Sequence, residues 1–287
     1  MAYLDRIRAL NNHRPGTHVP WRVAGQRVGR LRPELAAWLL GRRGAFRPAA
    51  DGVALAAAPD SFSGRSAVLA EVVVDLLAEG WLPQVQGEPY PVTAGGRDEA
   101  LCVVDRAAAV LFGVRAFGQH LNGYVRRADG LHLWIGRRAA DRRQWPGRLD
   151  NLVAGGLPHG VGLADNLAKE CAEEAGMSRE LAAGARPVGA VTYAHATEEG
   201  FKPDVLYCYD LELPADFAPR CTDGEVAAFH LLPVEEVARR VADTEEFKPN
   251  CNLVVLDFLV RHGVVGPDHP EYLDIVSGLH PALDPPM

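Results

Sequence analysis

Apolar positions recur along the chain with two periods, and together they predict helices and strands in irregular alternation. In the opening residues Tyr3, Leu4, Ile7 and Leu10 alternate with Asp5, Arg6 and Arg8 at helical spacing, which predicts a helix over 3–11. An extended piece is expected around 19–23, then a helix over 33–40, where Pro33 suits the first turn. Residues 64–79 carry apolar side chains around most of a helical circumference and are followed by Gly80, so a buried helix with a glycine stop is expected.

Near Val114 the texture changes to strand-like segments at 119–127 and 131–138, separated by the turn-forming Ala128-Asp129-Gly130. A domain boundary is therefore placed there, dividing the chain into 1–114 and 115–287. Beyond it the pattern predicts a strand over 149–154 and a helix over 163–175. Strands are expected over 187–195, 204–213 and 226–232, then helices over 234–241, 250–262 and 270–278. Such irregular alternation favours a mixed sheet between helical layers over a regularly alternating parallel sheet. The proline-rich end, 280–287, reads as loose.

With 287 residues, 48% of them hydrophobic, the chain can build two cores. No apolar run approaches a membrane span, and the amphipathic start lacks the uncharged centre of a signal peptide, so the protein is expected to be soluble, cytoplasmic and without a membrane partner. Cys102, Cys171, Cys208, Cys221 and Cys251 are scattered without a Cys-x-x-Cys pair, which argues against a disulfide framework and a thiolate zinc site and fits a reducing compartment. A formal net charge of -7 argues against broad adhesion to nucleic acid. Seven arginines between Arg126 and Arg148 form a local excess, readable as solvated strands and hairpin or as a cationic rim for a phosphorylated ligand. A homodimer is left open.

The most informative segment runs from Gly155 to Met177: a glycine-rich loop, a helix for which Asp165 offers an N-cap, and Gly176 placed to end it in a left-handed cap. On that helix Glu170, Glu173 and Glu174 fall within roughly a 100° arc, so three carboxylates share one face. Leu163, Leu167 and Cys171 lie along an adjacent stripe that can face the core. Like charges at these spacings repel by about 0.2 to 0.5 kcal/mol per pair even when exposed, with only Lys169 at hand to compensate. A cation among them would relieve this, and hard oxygen ligands in an open cluster suit Mg2+ or Mn2+ bridging to substrate phosphates.

The segment resembles the Nudix box. Gly155 takes its first glycine, and Lys169-Glu170-Cys171-Ala172-Glu173-Glu174-Ala175-Gly176-Met177 take its last nine places. Val161 stands where the first Glu is expected and Lys169 replaces Arg; in the family those two commonly pair and support the loop, so both departures read as one coupled change. The resemblance implies an α/β/α sandwich with a mixed sheet, preceded here by a smaller α/β domain. It implies metal binding by Glu173 and Glu174, with Glu170 a ligand or base, Glu170 and Glu174 the catalytic carboxylates, and the backbone carbonyl near Ala154 a further ligand. A downstream carboxylate is often recruited, and Glu225 is the candidate. The implied chemistry is metal-assisted hydrolysis of a small-molecule diphosphate, with a carboxylate positioning or deprotonating the water.

Beyond the box, residues 118–124, 149–156 and 247–251 resemble the thiamine-pyrophosphokinase-related branch, as does the layout of a small α/β domain before the Nudix domain. That branch implies hydrolysis of thiamine diphosphate, or preferentially its oxy- and oxo-analogues, to the monophosphates. His120 and Asn122 can point polar groups at such a substrate or form a structural pair. Tyr193, Phe201 and Tyr207 can stack on a ring or pack the core. His159, in the glycine loop, reads as a surface histidine.

Against the hydrolase stands a second class, a ligand-binding or regulatory protein on a Nudix scaffold, which Val161 and Lys169 favour and the full glutamate set disfavours. A third reading, a Nudix-fold isomerase acting on prenyl diphosphates, is disfavoured because the chain lacks the cysteine and glutamate constellation expected of one.

Overall fold

The computed structural model describes residues 3–42, 44–56 and 60–283. The first part comprises α1 (Tyr3–Leu10), β1 (Val19–Val23), β2 (Gln26–Leu31), α2 (Pro33–Gly41), β3 (Phe46–Ala49), β4 (Gly52–Leu55), α3 (Phe62–Ala78), β5 (Pro89–Val92), β6 (Cys102–Asp105) and α4 (Ala109–Phe112). Strands β2-β1-β4-β3 form one sheet, parallel only between β1 and β4, and β5 pairs antiparallel with β6. Their core gathers around Trp21, whose indole N–H donates to the Phe112 carbonyl at 2.7 Å. Helix α3 is less enclosed than its sequence suggests. Leu69, Val72, Val73 and Leu76 are buried, but Val74 is 63% exposed, because α3 packs on β6 along one side only.

The larger part comprises β7 (Phe117–Arg127), β8 (Gly130–Arg138), β9 (Leu149–Asp150), β10 (Val153–Gly156), α5 (Leu163–Ala175), α6 (Arg179–Ala182), β11 (Arg186–Ala196), β12 (Phe201–Glu212), β13 (Val226–Pro233), α7 (Val234–Asp243), α8 (Pro249–Arg261) and α9 (Tyr272–Gly278). Its sheet runs β11-β12-β7-β8-β13, with β10 on β7 and β9 on β8. Only β12 and β7 are parallel, so the sheet is mixed. Alternation along the strands separates two layers. Leu121, Tyr209 and Leu211 pack with Leu167 and Cys171 of α5, whereas Val191, Tyr193 and Cys208 pack with Leu253, Leu256 and Phe258 of α8. The architecture is thus an α/β/α sandwich preceded by a smaller α/β domain.

Leu4, Ile7 and Leu10 of α1 lie in the α8 core, and the Arg6 Nε donates to the Val241 carbonyl at 2.9 Å. We keep the division into 1–114 and 115–287 as a proposal, with α1 reaching across it. The start of the C-terminal stretch is tied down: Thr192 Oγ1 donates to the Pro281 carbonyl at 2.7 Å, and the His280 ring lies 2.9 Å from the Ala190 carbonyl. The rest of the stretch expected to be loose, 284–287, lies outside the described residues. Among those described, no helix is long and apolar enough to cross a membrane.

Candidate active site

Helix α5 begins earlier than an Asp165 cap requires. Gly162 is its extended N-cap, and Asp165 falls inside the first turn, where its charge suits the helix dipole and pairs with Arg179. Leu163 is 38% exposed at that first turn, so the core stripe starts at Leu167. At the other end Gly176 adopts φ 64°, its N–H donating to the Ala172 carbonyl at 3.1 Å while Met177 N–H reaches Cys171 at 3.0 Å, a glycine-dependent cap. Thr222 N–H donates to the Glu173 carbonyl at 2.8 Å and Arg220 N–H to Ala175 at 3.0 Å. The loop leading to Glu225 is thereby fastened to the C-terminal end of the glutamate helix.

The carboxylates occupy different environments. Glu173 is 42% exposed in its side chain and accepts from Lys169 Nζ at 2.8 Å. Glu170 lies deeper, 3.4 Å from the same ammonium and against Gly155, where a Cβ would stand 2.4 Å from its carboxyl carbon. Glu174 is buried, and its Oε2 accepts the Ala154 N–H at 2.8 Å. That burial departs from the exposure expected of an open cluster, and it follows from the proximity of β10 to α5. Glu225 sits near enough to Glu174 to repel it, while Arg142 pairs with its carboxylate at 2.9 Å. Lys169 and Val161 do not form a compensating pair: Lys169 bridges Glu170 and Glu173, and the Val161 carbonyl accepts from Arg97.

Burial raises the Glu170 pKa, an effect Lys169 and Arg106 oppose and Glu173 reinforces. Glu174 is pushed well above the ordinary carboxylate range by burial first, then by Asp150, Glu170 and Glu225, against the single Ala154 N–H. The folded chain therefore binds protons here more tightly than the unfolded one, and metal-free stability falls as pH rises from the ordinary glutamate range through the raised folded values. Thermal melting across pH should show that fall in metal-free protein and a flatter profile in Glu174→Gln. The stabilisation given by added Mg2+ should grow with pH, since metal and proton compete for the same oxygens. A melting temperature that rises over that window in metal-free protein would contradict this electrostatic picture.

The remaining sequence candidates fall elsewhere. His120 and Asn122 project from β7 toward α8 and are fully enclosed. The His120 Nδ1–H donates to Asn151 Oδ1 at 2.8 Å, Asn151 Nδ2 donates to Asn122 Oδ1 at 2.8 Å, and Asn122 Nδ2 donates to Asp210 at 3.2 Å. Asp210 in turn pairs with Arg261 and His262. Burial lowers the His120 pKa to about 4, so the ring is neutral at physiological pH. Tyr193 is a core residue of the α8 layer whose hydroxyl donates to Asp204 at 2.6 Å. Phe201 packs against His13 and His18, with the Arg30 guanidinium 5.8 Å from its ring centre. These placements supply packing and satisfied hydrogen bonds rather than an open binding surface.

Two groups escaped the sequence reading. On the α5 side of β7, Gln119 Nε2 donates to the Leu163 carbonyl at 3.0 Å and to Tyr209 at 3.1 Å, while Asn166 donates to Gln119 and to the Gly156 carbonyl, locking the glycine loop to the helix start. Beneath β10, Asp150 is buried between Lys248 at 3.4 Å and Arg138 at 3.0 Å, and accepts from the Cys251 thiol at 2.6 Å. Burial alone would raise its pKa, but Lys248, His120, Cys251 and Arg138 together hold it below the usual range. His120, Asp150 and Cys251 bring ligating atoms within 4.8 Å of one another, yet the lysine and arginine already neutralise the carboxylate. A shallow depression of about 470 Å³ lies apart from these glutamates, lined by Thr17, His18, Arg32, Pro33, Glu34, Thr197 and Glu198.

A NUDIX domain family matches residues 120–251, and a domain of unknown function, DUF4743, matches residues 2–116. Nudix hydrolase 24, chloroplastic, of Arabidopsis thaliana is 41% identical over 281 residues, 96% of this chain and 77% of that protein. The chain belongs to the Nudix hydrolase family. Nudix hydrolase 20, chloroplastic, of the same plant is 47% identical over 215 residues, and the match spans 75% of this chain but only 58% of that protein. An uncharacterised protein of Saccharomyces cerevisiae is 34% identical over 242 residues, 78% of this chain and 70% of its own length.

Membership in the family implies divalent-metal dependence, and the donor set fits it. Glu170, Glu173 and Glu174 offer hard oxygens on one helix face, and Gly155 leaves the space that Glu170 fills. The Nudix box itself departs from its pattern at Val161 and Lys169.

Proposed function

We propose that the chain hydrolyses a diphosphate bond in a small molecule with Mg2+ or Mn2+ held by Glu170, Glu173 and Glu174, the Ala154 carbonyl and Glu225 completing the set. The single observation carrying this reading is the convergence of Glu170 and Glu174 on β10, each with its carboxylate pKa raised first by burial and then by neighbouring acids, Glu173 for the former and Asp150, Glu170 and Glu225 for the latter. A bound divalent ion would neutralise both the carboxylates and the diphosphate oxygens and make a coordinated water more acidic. Glu170 or Glu174 takes the proton of the attacking water, a task for which burial raises its proton affinity. Water oxygen bonds to one phosphorus as the bridging P–O bond breaks, leaving a monophosphate and inorganic phosphate. To hold such an ion as well, Glu225 would have to give up its ion pair with Arg142.

For the substrate we propose thiamine diphosphate or, preferentially, its oxy- and oxo-analogues. The support is the likeness of three segments that the fold brings together around Asp150, namely His120, Asn151 and the pair Lys248 and Cys251. Exchanging a ring amino donor for a carbonyl acceptor reverses one hydrogen bond, which permits about a ten- to hundredfold preference. Measuring kcat/KM side by side for thiamine diphosphate, oxythiamine diphosphate, ADP-ribose and isopentenyl diphosphate tests both levels. A thiamine-type diphosphate should lead. ADP-ribose ahead by a wide margin would remove the thiamine assignment, and no turnover of any of them with Mg2+ or Mn2+ would remove the hydrolase.

A second reading, a ligand-binding or regulatory protein, is favoured by Lys169, which already bridges Glu170 and Glu173. It predicts diphosphate binding without turnover. Neither reading involves a nucleic acid or a membrane. A reducing, cytoplasmic setting is part of the proposal, in keeping with Cys102, Cys171, Cys208 and Cys251 buried as free thiols.

A further inference from the structure

The structure divides the seven arginines between Arg126 and Arg148. Arg126 and Arg127 stand at the β7–β8 turn, the opposite end of β8 from the other five, and Arg126 pairs with Glu212 at 3.4 Å. Arg137 and Arg138 brace the loop that follows β8. The first donates to the Gly147 carbonyl at 2.9 Å, and the second donates to the Gln144 carbonyl at 3.2 Å while pairing with Asp150 at 3.0 Å. Between those two carbonyls Trp145 adopts φ 54°, a left-handed backbone that a bulky side chain takes only at an energetic cost, and it remains 42% exposed. Loop 139–148 is therefore a braced rim rather than a slack connection.

Arg142 differs from these. Its Nη2 lies 2.9 Å from Glu225 Oε1, and Glu225 is its one carboxylate partner among the described residues. The loop also meets Glu225 through the backbone, since the Ala139 N–H donates to the Glu225 carbonyl at 2.9 Å. Three residues before Glu225, the N–H and the hydroxyl of Thr222 both donate to the Glu173 carbonyl, at 2.8 and 2.9 Å. The arginine loop is thus tied, through residues 222–225, to the end of the helix that carries the glutamates. A metal ion bound to Glu225 would end its pairing with Arg142, and the two positive charges would then repel. A guanidinium released at the rim of such a site, with 36% of its side chain already exposed, matches the paired oxygens of a phosphoryl group with its fork of donors.

We propose that Arg142 is a phosphoryl-binding residue of the glutamate site: it satisfies Glu225 while the site is empty and turns to the diphosphate oxygens when metal takes Glu225. This rests on the reading of the site as that of a metal-dependent diphosphate hydrolase with Glu225 in the ligand set. It couples the two ligands, because the metal frees the arginine that the diphosphate needs. Removing Arg142 therefore has opposite consequences. Metal alone binds no worse, having no arginine to displace, whereas the diphosphate binds more weakly.

The test uses the full chain and two titrations: Mn2+ followed by electron paramagnetic resonance without any diphosphate, and methylenediphosphonate, a diphosphate whose bridge water does not cleave, followed by calorimetry in saturating Mg2+. Arg142→Gln should bind Mn2+ at least as tightly as wild type and the probe about tenfold more weakly. Arg142→Lys, which keeps the charge without the fork, should fall between the two in probe affinity. A merely structural arginine would move both titrations in the same direction or neither. Gln binding the probe within twofold of wild type, Lys binding it no better than Gln, or Mn2+ binding weakened severalfold in Gln would overturn the contact and leave the hydrolase standing. If both titrations come out as expected but no diphosphate is turned over, the hydrolase reading falls and the contact stands. A wild-type protein that does not take up the probe overturns both.

Discussion

Diphosphate turnover at limiting Mg2+ is expected to fall about a hundredfold or more when Glu173 or Glu174 is changed to Gln, the scale associated with losing a ligand or catalytic carboxylate. The two variants should differ in stability. The Glu173 carboxylate is partly exposed and pairs with the exposed Lys169, so Glu173→Gln should melt within about 0.5 kcal/mol of wild type. Glu174 is buried beside other acids, and its glutamine keeps an oxygen for the Ala154 N–H while losing the repulsion. Metal-free Glu174→Gln should therefore melt no lower than wild type, and higher at alkaline pH. Activity lost while stability is kept or gained marks a ligand rather than a structural acid. Near wild-type rates in either variant would show that the metal assignment is wrong.

The largest stability loss should come from Asp150→Ala. The substitution leaves Lys248 and Arg138 with uncompensated charge, both 17% exposed or less, and also removes the acceptor of the Cys251 thiol and of the Asn151 N–H. Breaking one side of such a buried pair costs about 3 to 5 kcal/mol. For a chain of this size that lowers the melting temperature by something on the order of 10 °C. Calorimetry checks it. A shift under about 2 °C, which at this size corresponds to less than 1 kcal/mol, would show that the cluster is not structural.

Much of the larger domain was legible because its elements are long. Strands β7, β8, β11, β12 and β13 run for eight or more residues, and α5 carries both its apolar stripe and its terminal glycine. In the smaller domain α1, β1, α2 and α3 were legible, but β3, β4, β5 and β6 span four residues each, too few for alternation to register. At the site, the glutamate face was visible from helical spacing alone, but which carboxylate would be buried depended on how close β10 runs to α5. For His120 and Asn122 the sequence left substrate contact and structural pair both open, and only the parity of β7 against β12 shows that they turn toward α8 and that Gln119 faces the glutamate helix. Lys248, Asp150 and Cys251 stood in the two quoted segments 149–156 and 247–251. Their joining rests on contacts about a hundred residues apart in sequence, which no local pattern encodes. Arg97 carried no signal, because nothing in a short, irregular stretch announces that it will abut a glycine loop in another domain.

The most direct test of the central claim is the steady-state rate of phosphate release from a diphosphate substrate as free Mg2+ is varied from zero to saturation. The account predicts no turnover in chelator and a saturable rise with Mg2+, with Glu173→Gln displaced to much higher metal concentration. A rate that persists in excess chelator, or a metal dependence unchanged in Glu173→Gln, would contradict it.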